Sequence, residues 1–264
     1  MTSGLAGAIA AAGLDWIVPQ WHDPARVRAL FTTRHGGASV GAAATMDVGP
    51  ASPAAGESDG AIGENRRRLR AFLPSDPVWL AQVHGREVAV VDAHNVAALR
   101  AAPPQADAAI VRGPGLAIAV RTADCLPVLL ADRAGSVVAV AHAGWRGLAA
   151  GVLEATLAAM AVRADDVVAW IGPAIGPRAF EVGADVFDAY CTLDRGASAH
   201  FAPGREGKWL ADLPALARRR LAAHGVAGTQ GGHWCTHTDT DRFFSWRRNR
   251  ATGRMALVAW LAQA

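Results

Sequence analysis

Apolar and polar positions along the chain follow two rhythms. Extended apolar runs occupy Ala29–Thr33, Val78–Val83, Glu87–Val91, Ala108–Val111, Leu116–Val120, Pro127–Ala131, Val137–Ala141, Val167–Ile171 and Met255–Leu261, and these are read as strands. Apolar residues at three- and four-residue spacing predict helices over Ile62–Phe72, Leu148–Val162 and Leu210–Ala223. Several strands follow one another without room for a crossover helix, so antiparallel pairs must be present and a purely doubly wound parallel sheet does not fit. The expected class is α+β, with mixed, largely antiparallel sheets. Gly49–Gly60 and Thr192–Gly207 read as long solvated connections.

One predicted hairpin carries unexpected chemistry. The stretch ADCLPVLLADRAGSVVAVAHAGWRG, residues 123–147, sets a cysteine before one apolar run and a histidine after the next. With Asp132–Gly135 as the turn, Ala131 faces Ser136 and Cys125 lies directly across from His142. Directly opposed residues have Cβ atoms ~4.5–5.5 Å apart, close enough for a thiolate and an imidazole to share one metal ion. A turn longer by one residue would place Cys125 opposite Ala143 and make the pair diagonal. Taken singly, Cys125 reads as a buried small hydrophobe and His142 as a hydrogen-bonded strand end. Together with Asp124 and Gly144-Trp145-Arg146-Gly147, they gather polar and flexible groups at one end of an apolar hairpin, a cost that a purely structural element need not bear. A third ligand is required. His84, closing the run VWLAQVHG, is one rival, and the alternating His233, Cys235 and His237 of HWCTH are the other. Spacing alone leaves both open.

Composition narrows the classes. A chain of 264 residues that is 52% hydrophobic can bury one large core, and a single domain over 1–264 is expected. No window reaches the ~18 apolar residues of a membrane span, and Leu5–Leu14 is short and follows no basic residue, so a cytoplasmic protein without membrane association is expected. The net charge is only +3, Lys208 is the only lysine, and the arginine-rich stretches Arg66–Arg70 and Arg218–Arg220 fall inside helical patterns, which argues against a nucleic-acid partner. Cys125, Cys191 and Cys235 are odd in number and scattered, so no disulfide framework is expected.

Five blocks then stand out in order: AQVHG at 81–85, ADCLPVLLAD at 123–132, AHAGWRG at 141–147, IGPAIGP with FEVG at 171–183, and FFSWRR with TGRM at 243–255. With FTTRHGGAS at 31–39 they resemble the signature of the YfiH family, the laccase-domain or polyphenol oxidase-like proteins regarded as zinc-dependent purine nucleoside phosphorylases. The resemblance implies a layered α/β/β/α sandwich. It also implies zinc held by His84, Cys125 and His142, and phosphorolysis of adenosine, inosine, guanosine or methylthioadenosine to base and ribose 1-phosphate, with adenosine deaminase activity. HWCTH is then incidental. Two departures are visible: Asp47 stands in TMDVG where the family carries an asparagine, and Trp246 replaces the commoner tyrosine in FFSWRR.

Two neutral imidazoles and one thiolate would leave zinc an open position, as in catalytic sites. Phosphate requires cationic or amide donors nearby, and Arg146 with Gly147, where the helix after the hairpin should begin, is the first choice, with Arg34 of the FTTRHGGAS block second. Asp124 is expected to relay a proton or, by preference, to orient a ligand histidine. Copper is the alternative metal, since two histidines and a cysteine also suit a copper centre. A laccase needs more ligands, usually as His-X-His pairs, and the nine histidines contain none. A metal-free thiol hydrolase with Cys125 as nucleophile and His142 as base, or a peptidoglycan-editing factor, is the remaining alternative. Oligomeric state is not legible in the sequence.

Overall fold

The computed structural model describes residues 2–21, 24–50, 58–226 and 228–263. In chain order the elements begin with α1 (Thr2–Ala11), β1 (Val27–Phe31), α2 (Asp59–Arg70), β2 (Val88–Val91), α3 (Val96–Ala101), β3 (Ala108–Val111) and β4 (Ala117–Thr122). The central hairpin β5 (Leu126–Asp132) and β6 (Val138–Ala143) leads into α4 (Trp145–Ala150), α5 (Val152–Met160) and β7 (Val167–Ile171). There follow β8 (Glu181–Val182), α6 (Ala184–Cys191), β9 (Phe201–Pro203), β10 (Trp209–Ala211), α7 (Leu213–Ala223), β11 (Gly228–Gly231) and β12 (Met255–Leu261).

These strands make a six-stranded sheet, β11-β7-β5-β6-β3-β2, a three-stranded sheet, β1-β12-β4, and a small sheet, β8-β10-β9. Only β11 with β7 and β2 with β3 run parallel among these pairings. The layering follows from side-chain alternation. In β5, Leu126, Val128 and Leu130 join a core with Leu148, Leu153, Met160 and Leu216 of the helices, while Leu129 and Ala131 turn to the opposite face. That second face meets Ile118 and Val120 of β4 and Leu257 and Ala259 of β12, so the two larger sheets stack on each other. On the far side of β4 and β12, Ala119, Val258 and Trp260 pack with Ile9 of α1 and Leu69 of α2. The result is the α/β/β/α sandwich. Strands covered on both faces read as continuous apolar runs, which is why the sequence announces them so clearly.

Several expectations require correction. Val78–Val83 forms no ladder; it touches β4 by one bridge, Val78 with Ile118. The side-chain amide of Gln82 pairs instead with the Arg121 backbone, accepting from its N–H at 2.8 Å and donating to its carbonyl at 2.9 Å. The helix expected over Leu148–Val162 starts at Trp145 and is broken at Gly151, whose φ of 96° ends α4 and opens α5. The helix expected over Leu210–Ala223 begins only at Leu213, capped by Asp212 accepting from Ala215 N, because Trp209–Ala211 is strand. Thr192–Gly207 is not all loop, since it holds a 3-10 turn over Arg195–His200 and β9. Most of the other expected loop, residues 51–57 of Gly49–Gly60, lies outside the described residues.

The hairpin register also differs. Ala131 pairs with Val138 and Pro127 with His142, so the loop is two residues longer than expected. The Asp132 carboxylate accounts for this, accepting from Ser136 N at 2.7 Å, Val137 N at 2.8 Å and Ser136 Oγ at 2.8 Å. Cys125 therefore lies one position beyond the Leu126–Ala143 pair, on the level of Gly144, and is diagonal to His142.

Candidate metal centre and active site

Three chain segments converge at the open end of the hairpin. His84 ends the extended run before β2, Cys125 lies in the crossing from β4 to β5, and His142 is on β6. One ligand atom from each of these residues lies within 4.8 Å of the others, the group among the described residues that could hold a metal ion. Cys125 Sγ is 3.6 Å from His84 Nε2, and the two imidazole centroids are 4.8 Å apart. Gly144 makes the convergence possible: a Cβ there would sit 2.9 Å from Cys125 Sγ and 2.9 Å from His84 Cδ2.

Asp107, fully buried just before β3, organises the group. Its carboxylate accepts from the backbone N–H groups of Val83 at 3.1 Å, His84 at 3.0 Å and Gly85 at 2.7 Å, holding His84 in a left-handed conformation with φ 61°. The same carboxylate meets His142 Nδ1 at 2.7 Å, which leaves Nε2 for the cluster. Burial pushes the Cys125 thiol up, but the adjacent His142 charge and the hydrogen bonds from His142 and His84 outweigh it and bring the thiol to about 6. Burial pulls His142 down, and the Cys125 thiolate and Asp107 overcome it, raising the imidazole to about 9. These shifts favour a thiolate–imidazolium pair when no metal is bound, and a thiolate beside two imidazoles is a donor set that suits zinc or copper.

Of the other expected site residues, Asp124 and Arg146 border the same cavity as His84, Cys125 and His142, whereas Gly147 and Arg34 do not. Asp124 orients neither histidine. Its carboxylate accepts from Thr236 Oγ1 at 2.6 Å, Ser245 Oγ at 3.0 Å and Arg247 N at 2.6 Å, so it ties the C-terminal segment to the Cys125 crossing while holding a φ of 90°. The orienting role expected of Asp124 falls to Asp107. Arg146 is exposed and stacks on its neighbour Trp145, 4.3 Å from guanidinium to ring centroid. Gly147 is inside the six-residue α4, where a Cβ would come 2.8 Å from Gly85 O; it lets the helix approach the His84 loop. Arg34 lies away from the cluster, donating to Ala44 O and Thr240 O and covering Phe244. In HWCTH, Cys235 Sγ accepts from Gly176 N at 3.2 Å and is not part of the metal-binding group.

The cluster opens into a cleft of about 550 Å3. Its walls include the aromatic residues Trp145, Phe180 and Trp246 and the four arginines Arg121, Arg146, Arg247 and Arg254. Asp107, Arg121 and Arg254 were not singled out by the sequence. A lone aspartate before an apolar strand, in QADAAIV, was the available signal for the first; TGRM contained the last, with no indication of where its arginine points.

Comparison with known proteins agrees with this architecture. Residues 28–262 match the family described as multi-copper polyphenol oxidoreductase laccase. A purine nucleoside phosphorylase of Pseudomonas aeruginosa is 49% identical over 247 residues, covering 93% of this chain and 98% of that protein. The purine nucleoside phosphorylase YfiH of Escherichia coli is also 49% identical over 247 residues, with the same coverage of 93% and 98%. Among solved structures, a Neisseria meningitidis protein superposes with a TM-score of 0.87 at 46% identity, covering 94% of this chain and 100% of the other. YlmD of Geobacillus stearothermophilus gives a TM-score of 0.80 at 29% identity, covering 91% and 93%.

Proposed function

Because the chain belongs to the laccase-like YfiH family, we propose that it is a purine nucleoside phosphorylase that holds zinc through His84, Cys125 and His142. The observation that carries this reading is the His–Cys–His cluster itself, set in a cleft of about 550 Å3 in a chain 49% identical to proteins named for that activity. When bound, zinc would supply a Lewis acid to the cleft. The protein's own residues do the rest. Asp107 fixes His142 and the His84 loop, so the donors are preorganised. The flat faces of Trp145, Phe180 and Trp246 offer apolar surface for a purine base, and Trp246 supplies it without the hydroxyl of a tyrosine. In phosphorolysis a phosphate oxygen bonds to C1′ of the ribose as the bond from C1′ to the base breaks, and the departing purine takes up a proton. The absence of any His-X-His pair, which a laccase would need, supports zinc over copper. Adenosine, inosine, guanosine and methylthioadenosine are the proposed substrates, with deamination of adenosine as a second activity. Three free cysteines suit work in the cytoplasm; no helix among the described residues is long and apolar enough to cross a membrane.

The test is incubation of metal-analysed protein with adenosine, with and without phosphate, followed by chromatography. Adenine and ribose 1-phosphate, formed only with phosphate, are expected, and inosine marks deamination. Full activity in protein stripped of zinc, or release of neither product, overturns the reading; copper rather than zinc in active protein favours the oxidase.

A further inference from the structure

Two arginines of the cleft converge on one carboxylate. Arg121, on β4, and Arg254, of the TGRM block, both line the cleft and both lie near Asp47. A third, Arg66 on α2, stands behind them: Arg66 and Arg121 lie 5.1 and 5.7 Å from the ring centroid of Trp79. Each is anchored by one or two backbone carbonyls. Arg121 donates from Nη2 to Leu80 O at 2.7 Å, Arg254 from Nη1 to Thr252 O and Gly253 O, and Arg66 to Val48 O and Gly49 O. A guanidinium has five N–H donors, so Arg121 and Arg254 keep donor edges that meet no other partner among the described residues.

The charge balance is unusual. Three cations surround one carboxylate, and burial together with the nearby Arg66 and Arg254 lowers Arg121 to about 10. Asp47 cannot swing to serve all three, because its Oδ1 accepts from Gly49 N and Arg254 N, each at 2.7 Å. Like charges gathered in a half-buried wall are costly unless an anion completes them. Arg146 also lines the cleft but stands apart from this group, exposed and stacked on Trp145.

We propose that Arg121 and Arg254 form the oxyanion site of the cleft, where phosphate binds, with Arg66 strengthening the field from behind Trp79 and Asp47 weakening it. The identity of the anion rests on the phosphorolysis reading; the existence of the site does not. Planar guanidinium groups grip phosphate oxygens two at a time, which a lysine cannot do. Asp47 acts in the opposite sense to its arginine neighbours. In Asp47→Asn the side-chain oxygen can still accept both backbone N–H groups, while one negative charge beside Arg121 and Arg254 disappears.

The experiment titrates the full chain with inorganic phosphate calorimetrically, with inosine as a separate titrant. Arg121→Lys and Arg254→Lys should each weaken phosphate binding about tenfold to a hundredfold, and leave inosine binding unchanged. Asp47→Asn should tighten phosphate about threefold to tenfold. A merely structural role for these residues would not give opposite signs. Arg146→Lys tests the rival cation of the same cleft and should weaken phosphate binding less than either Arg121→Lys or Arg254→Lys. If Arg121→Lys fails to fold, Arg254→Lys and Asp47→Asn decide. Unchanged phosphate affinity in folded Arg254→Lys, weaker binding in Asp47→Asn, or loss confined to Arg146→Lys overturns the assignment. Phosphate binding that follows this pattern in a protein that cleaves no nucleoside leaves the anion site standing and removes the phosphorylase reading instead.

Discussion

Asp107 settles which nitrogen of His142 faces the cluster, and it does so while fastening the His84 loop through three backbone N–H groups. Asp107→Asn keeps one accepting oxygen but replaces the other with an amide that cannot accept from Val83 N and Gly85 N. Zinc affinity, measured by competition with a chelator, should fall about tenfold to a hundredfold. Affinity equal to wild type would mean that the ligands are positioned by packing alone. A second residue-scale outcome concerns charge. In metal-free protein the Cys125 thiol is held at about 6, so it is mostly thiolate at neutral pH and becomes protonated as pH falls through that value. Alkylation of Cys125, followed by peptide mass spectrometry, should therefore show a midpoint near pH 6, and His142→Ala should move that midpoint upward because the imidazolium is gone. A midpoint in the ordinary thiol range for the unsubstituted protein would contradict the ion pair. Cys125 and His142 were legible in the sequence because each interrupts an apolar run at its end, whereas spacing left His84 open against HWCTH and the family resemblance chose it. Asp107 was not, because one aspartate before a strand looks like any turn residue, and Arg121 and Arg254 were lost among the many arginines of this chain.

At the level of elements, the hairpin of β5 and β6 brings Cys125 and His142 together by a route different from direct opposition. The Asp132 carboxylate gathers Ser136 and Val137 into the loop, and the resulting shift sets a glycine on the level of Cys125. The metal group consequently depends on Gly144 having no side chain. Gly144→Ala should reduce zinc binding by about tenfold or more, since the added methyl meets Cys125 Sγ and His84 Cδ2 at 2.9 Å, while β6 and its core residues remain in place. Zinc content after dialysis and the far-ultraviolet circular dichroism spectrum read the two effects separately; unchanged zinc content would show that the segment relaxes without consequence. The register was unreadable from the sequence because Asp132, Gly135 and Ser136 are turn formers in a short or a long loop alike. Apolar runs located β3, β7 and β12 to the residue, since burial on both faces leaves no polar position to blur their ends. Strand β11, the sequence Gly-Thr-Gln-Gly, has no apolar residue to reveal it, and it exists because the edge of β7 pairs with it.

For the whole molecule, the consequence of the layering is that the metal group straddles the junction of the two larger sheets. Cys125 follows β4 of the three-stranded sheet and precedes β5 of the six-stranded one, and His142 lies on β6. A bound ion therefore links layers that already share an apolar core, among them Leu129, Val140, Trp170 and Leu257. That core is independent of the metal, so chelation should leave the fold intact at room temperature while lowering the melting temperature. Zinc present at about a thousandfold above its dissociation constant stabilises the folded state by ~4 kcal/mol if the unfolded chain does not bind it. For a chain of this size, that corresponds to a loss of roughly 10 °C on removal. Cys125→Ala should lose most of its zinc and melt near the chelated wild type, and adding chelator to the variant should change nothing further. Differential scanning calorimetry with and without chelator makes the comparison in one series. A variant that keeps full zinc occupancy removes Cys125 from the ligand set. Loss of the cooperative transition on chelation would assign the ion a structural role that the apolar contacts between the sheets make unnecessary.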